Sequence, residues 1–200
     1  SGATFGDAVS TADRACRDAK RHQAGHLVVF HKDAAAFKER QEEIRLLGLF
    51  GHDTPPEGLF LVMQPIMSLR NPHETLNFEV LVRMHGPGDT LTSAWPIIST
   101  AENHGRIATV DRWVLGNTLD WIEQHHARLD RTKFVCVNLS GGSLNDEHFV
   151  RDAYAMLDAH PNATKLLCLE ITESVALHDL SNTVRFVDQV MARGARVALD

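Results

Sequence analysis

Lys133-Phe134-Val135-Cys136-Val137-Asn138-Leu139-Ser140 and Leu166-Leu167-Cys168-Leu169-Glu170-Ile171-Thr172 decide the fold. Each is a short, near-continuous apolar run closed by an oxygen-bearing side chain, the pattern of a strand buried in a parallel sheet. Outward from them, strands are expected at 59–66, 77–83 and 196–200, with the two central ones at 133–139 and 166–171. Helical spacing of apolar residues falls between them, at 93–103, 110–126, 147–159 and 180–192. Gly105 and Gly194 follow two of these helices, where left-handed caps are common. Alternating strands and helices of this kind give an α/β protein with a parallel sheet covered by helices.

Four of the strands end in a hard donor: Glu79, Asn138, Glu170 and Asp200. Ligands and catalytic groups gather at the carboxyl ends of strands in parallel α/β folds. Side chains alternate between faces with period two, so Phe134, Cys136 and Asn138 share a face, as do Leu166, Cys168 and Glu170, and Ala198 with Asp200. Three carboxylates and an amide suit Mg²⁺ or Mn²⁺ rather than Zn²⁺. Without a cation, such carboxylates would repel one another. A single carboxylate at a strand end is more often a turn residue, so the foursome carries the reading. Arg83 lies four residues after Glu79 on the same strand face, where it reads equally as a partner for a phosphate or as a surface arginine at a strand end.

The rest of the chain sets bounds. Two hundred residues, 44% hydrophobic and 23% charged, with 20 basic and 26 acidic residues, describe a globular protein of net charge −6. That balance argues against a broad basic face for a nucleic acid polymer. Cys16, Cys136 and Cys168 match no metal or disulfide spacing and are expected as buried free thiols in a reducing cytosol. No apolar stretch reaches a membrane span, and the N-terminus has no signal-peptide pattern. Residues 8–22 read as an amphipathic helix and 27–30 as a strand; 33–50 read as a linker helix capped by Asp33. Two prolines and Gly58 break the chain at 52–58, where the domain boundary is expected.

The motifs Met63-Gln64-Pro65-Ile66, Glu79-Val80-Leu81-Val82-Arg83, Ala101-Glu102 with Gly105, Val110-Asp111-Arg112-Trp113-Val114-Leu115, Val137-Asn138-Leu139-Ser140, Leu169-Glu170-Ile171-Thr172-Glu173-Ser174 and Val197-Ala198-Leu199-Asp200 occur in this order. Together they resemble the successive motifs of the EAL domain family, which hydrolyses or binds the bacterial second messenger cyclic di-GMP. The resemblance implies a modified (β/α)8 TIM-like barrel whose first strand runs against the others. It also implies Glu79, Asn138, Glu170 and Asp200 as metal ligands, with Glu79, Glu170 and Asp200 catalytic, and Gln64, Leu81, Arg83 and Asp111 as dinucleotide contacts. There, Arg83 would pair with a phosphate oxygen and Leu81 would lie against a base. Mg²⁺ or Mn²⁺ as cofactor, cyclic di-GMP as partner and a homodimer through this domain follow from the same resemblance. So does a cytoplasmic location, alone or as the cytoplasmic part of a membrane-attached sensor.

Ala12-Asp13-Arg14-Ala15, Ala19-Lys20 and Val28-Val29-Phe30 resemble the last helix and strand of a GGDEF domain, although Cys16 and Arg17 stand where that family often has Leu and Tyr. The expected organisation is a GGDEF remnant at 1–32, a linker at 33–57 and the first part of an EAL domain at 58–200, cut at the first Asp of the Asp-Asp-Phe-Gly motif. Val80 replaces the Ala of the signature triplet and should face away from Glu79. The 200 residues would then hold about one metal's worth of ligands and be inactive alone, within a parent that is a metal-assisted phosphodiesterase producing linear pGpG. Competing readings are a receptor that binds without turnover and a mere interaction surface.

Several residues are set aside. His125-His126 reads as a solvated helix end, His85 as a loop histidine, and Trp95, Trp113 and Trp121 as packing residues. Gly141-Gly142 lacks the context of a phosphate loop, and Glu173 is a weak candidate for supporting the metal site.

Overall fold

The apolar runs build one mixed sheet. A computed structural model describes residues 34–86, 88, 90–172 and 180–200. Helix α1 (Ala34–Leu47) is followed by β1 (Leu59–Ile66), β2 (Asn77–His85), β3 (Leu91–Ser93), α2 (Trp95–Asn103) and α3 (Ile107–His125). Then come β4 (Val135–Leu139), α4 (Gly141–Leu144), α5 (Glu147–Ala159), α6 (Pro161–Leu166), β5 (Leu167–Ile171), α7 (Leu180–Ala192) and β6 (Arg196–Leu199). The strand order is β1-β2-β4-β5-β6, with β3 paired to β2. β1 is antiparallel to β2, whereas β2, β4, β5 and β6 are parallel to one another, as expected for a reversed first strand.

The chain divides into two compact units, Ser1–Glu42 and Glu43–Asp200. Of the first, the described residues are the start of α1. The expected helix at 8–22, the strand at 27–30, the Asp33 cap and Cys16 lie outside the described residues.

In the second unit, strand alternation separates two faces. Val135, Val137 and Leu139 of β4 and Leu167, Leu169 and Ile171 of β5 are buried in the core with α3, α5 and α7. Each such side chain contributes roughly 1.5–3 kcal/mol through burial, an upper range because the unfolded chain is not fully extended. Val80 is buried in the same core, on the face opposite Glu79, so the bulk it adds to the signature triplet is accommodated by packing. The other face carries Glu79, Cys136, Asn138, Cys168 and Glu170.

Local sequence explains the helices that cover the sheet. Asp146 caps α5, its Oδ1 accepting from the backbone N–H of His148 at 2.8 Å and of Phe149 at 3.1 Å. Phe149, Ala153 and Leu157 then form the buried stripe of that helix, and Thr183, Phe186 and Val190 that of α7. Gly105 and Gly194 adopt φ of 66° and 98° after α2 and α7, the left-handed endings expected of them. At the entrance to β4, Asn77 Oδ1 accepts from Lys133 N at 2.8 Å and Phe134 N at 3.2 Å. This clamp accompanies the register in which Glu79 stands beside Cys136.

Some element bounds differ from the expectation. β3 has three residues, too few for an alternation to be visible, and it takes Ser93 from the expected helix. Pro161 opens the short helix α6, and Leu166, expected to begin a strand, is that helix's last residue with no loop before β5. Helix α3 starts at Ile107 rather than at 110.

Candidate functional site

The register of the sheet sets the site. At one level Gln64 faces Glu79 across β1 and β2, Glu79 neighbours Cys136, and Cys136 neighbours Cys168. One step further toward the carboxyl ends, Asn138 stands beside Glu170, and Glu170 beside Ala198. Asn138 Nδ2 donates to Glu79 Oε1 at 3.0 Å, so two of the four expected oxygen donors touch. Glu170 flanks Asn138 by register. Asp200 directly follows β6, its backbone N–H bonded to the Ile171 carbonyl at 3.1 Å.

These donors are three carboxylates and an amide, chemistry that fits Mg²⁺ or Mn²⁺. Among the described residues, no three His, Cys, Asp or Glu side chains converge on one point as a metal-holding group.

Beside the Glu79–Asn138 contact lies a cavity of about 220 Å³ at the carboxyl ends of β2 and β4. Leu81, Arg83, Trp95, Asp111, Asn138 and Ser140 are among its walls. Of the expected dinucleotide contacts, Leu81, Arg83 and Asp111 therefore meet in one place; Gln64 is exposed on β1 opposite Glu79 and is not in the wall. Arg83 donates from Nη1 to the Val82 carbonyl at 2.9 Å.

Asp111 sits in α3 with 6% of its surface exposed. Its Oδ2 accepts from Ser140 N at 2.9 Å and from Ser143 Oγ at 2.6 Å, tying α3 to the turn after β4. Burial outweighs those hydrogen bonds and pushes the Asp111 carboxyl up to about 6. Gly142 lies in the same junction, where an added Cβ would come within 2.9 Å of Ile107 Cγ2. Its glycine serves close packing of α4 on α3.

Trp95 was expected to pack, and the structure corrects this: it is 66% exposed and stands in the cavity wall at the first turn of α2. Helical periodicity alone does not show which side of a helix start faces solvent; the neighbouring Ala94 and Ile97 take the buried positions instead. Trp113 and Trp121 do pack, partly buried, against the core. His85 lies at the end of β2 rather than in a loop, its ring 4.5 Å from that of Phe60. His125 bonds through Nδ1 to the Trp121 carbonyl at 2.8 Å and stacks on the Trp121 ring. Cys136 and Cys168 are buried free thiols, as expected. Glu173 lies outside the described residues.

A sequence model of the EAL domain matches residues 56–200. The cyclic di-GMP phosphodiesterase PdeF of Escherichia coli (strain K12) is 24% identical over 163 residues, spanning 82% of this chain and 21% of PdeF. The bifunctional diguanylate cyclase/cyclic di-GMP phosphodiesterase MucR of Pseudomonas aeruginosa is 26% identical over 204 residues, spanning 100% of this chain and 29% of MucR. The crystal structure of the Xanthomonas citri FimX EAL domain in complex with c-diGMP matches with a TM-score of 0.62 at 22% identity, over 83% of this chain and 62% of that one. The chain thus spans less than a third of these curated relatives, and its likeness to the FimX domain is one of fold. No helix among the described residues is long and apolar enough to cross a membrane.

Proposed function

The chain belongs to the EAL domain family, and from that premise we propose that the protein carrying it is a cyclic di-GMP phosphodiesterase that releases linear pGpG. The observation that carries this reading is the cavity in which Arg83, Trp95 and Leu81 stand beside the Glu79–Asn138 contact. A cyclic dinucleotide offers a phosphate and flat bases, which a guanidinium and an exposed aromatic ring recognise by charge and stacking. Arg83 pairs with a phosphate oxygen, Leu81 lies against a base, and Gln64 and Asp111 add polar contacts. Glu79, Asn138, Glu170 and Asp200 would hold Mg²⁺ or Mn²⁺. When bound, the cation supplies charge stabilisation and an activated water for in-line attack on the phosphodiester.

A second reading, binding without turnover, draws on the lack of a convergent three-donor group among the described residues. Chromatography of cyclic di-GMP incubated with the full-length protein in Mg²⁺ and in Mn²⁺ decides between them. Accumulation of pGpG is the expected result; binding with no turnover in either metal would establish the receptor instead.

We assign residues 1–32 to the end of a GGDEF domain, 33–57 to a linker and 58–200 to the first part of the EAL domain, which the match to MucR along the whole chain supports. A homodimer through the EAL domain in the cytoplasm belongs to the same proposal, and light scattering of the full-length protein tests the dimer.

A further inference from the structure

Cys136 and Cys168 are direct partners in the parallel register of β4 and β5, so their side chains project side by side from the same face of the sheet. Both residues are buried, at 2% and 8% exposure, and both are free thiols. Neighbouring strands lie about 4.8 Å apart, which is inside the Cα–Cα range of roughly 4.4–6.8 Å that a disulfide spans. The pair lies two residues before Asn138 and Glu170 on each strand, the next position on the same face, and Glu79 is the register neighbour of Cys136 on the other side. Nothing in the proposed chemistry uses these thiols.

We propose that Cys136 and Cys168 are a site of reversible covalent modification, a disulfide formed by hydroperoxide oxidants, which disturbs the oxygen donors one step above it. The second half of this inference rests on the metal-binding reading of Glu79, Asn138 and Glu170; the first half does not. Cys168, the more exposed of the two, attacks hydrogen peroxide through Sγ. The O–O bond breaks, one water leaves with the thiol proton, and a sulfenic acid remains on Cys168. Cys136 Sγ then attacks that sulfur, the S–O bond breaks, a second water leaves, and the S–S bond forms. Two electrons pass from the thiols to the peroxide, so two thiols and one peroxide give one disulfide and two waters.

Closing the bond draws the sulfurs to about 2.05 Å and locks both side chains in one bridged conformation immediately below Asn138 and Glu170. Those two donors then lose the packing that the separate thiols give them. Loss of support beneath metal ligands typically weakens metal affinity about 10- to 100-fold.

The test treats the reduced full-length protein with hydrogen peroxide, alkylates it under denaturing conditions, and maps its peptides by mass spectrometry without reductant. A peptide pair joined through Cys136 and Cys168, released by dithiothreitol, is expected. Full alkylation of both thiols, or pairing of either with Cys16 instead, would overturn the inference. Mn²⁺ titration of the same samples should show an affinity at least about tenfold weaker after oxidation, restored by dithiothreitol, with no peroxide effect in a Cys136→Ala/Cys168→Ala variant. A linked pair with unchanged Mn²⁺ affinity would overturn the disturbance of the site. If the reduced protein binds no Mn²⁺, the metal reading fails while the peptide map still decides the disulfide.

Discussion

Asp111→Asn should make stability less sensitive to pH. The carboxyl is raised from 3.8 to about 6, chiefly by burial, with Glu102 adding a small repulsion. A proton affinity increased that much in the folded state corresponds to about 3 kcal/mol at 1.36 kcal/mol per pKa unit. The sign follows from linkage. Between 3.8 and about 6 the folded state binds more protons at this position than the unfolded state, so stability falls as pH rises through that window. Asn keeps an acceptor oxygen for Ser140 N–H and Ser143 O–H but never ionises. Urea denaturation of both proteins at several pH values from about 4 to 7 therefore measures a difference that grows in favour of the variant by up to about 3 kcal/mol. Parallel stability curves, or a wild type that gains on the variant as pH rises, would refute the reasoning.

Three other substitutions probe distinct parts of the account. Asp146→Ala removes the acceptor for two N–H groups at the start of α5 and should cost about 1 kcal/mol, with faster hydrogen exchange at His148 and Phe149. Gly142→Ala drives a methyl to within 2.9 Å of Ile107 Cγ2 and should cost roughly 1–3 kcal/mol in denaturant midpoint measurements, less when combined with Ile107→Ala. Trp95→Ala removes an exposed ring, so thermal stability should change by less than about 0.5 kcal/mol while cyclic di-GMP affinity measured by calorimetry weakens by about 1–3 kcal/mol.

The sheet was legible wherever periodicity is long enough to read. Leu59–Ile66, Glu147–Ala159 and Leu180–Ala192 occur at the bounds their patterns suggest, and each of the two helices buries a stripe at helical spacing. The donors at the carboxyl ends were legible through the same alternation, and Glu79 with Asn138 did meet. What stayed hidden depends on tertiary placement. Strand β3 is too short to show a period, and Trp95 is exposed because Ala94 and Ile97 occupy the inward positions around it. Burial of Cys136 and Cys168 could be read from their apolar surroundings, but their pairing follows from the register of β4 on β5, which no single strand encodes. Asp111 likewise looks like any helical acid until Ser140 and Ser143 fold back onto it.

The central claim, that the cavity beside Glu79 and Asn138 receives cyclic di-GMP through Arg83, is tested most directly by calorimetric titration of that ligand into the full-length protein and its Arg83→Ala variant. Saturable binding by the wild type, weakened about tenfold or more in the variant through loss of a charged contact, is the predicted result. Equal affinity in the two proteins, or no binding by the wild type, would contradict it.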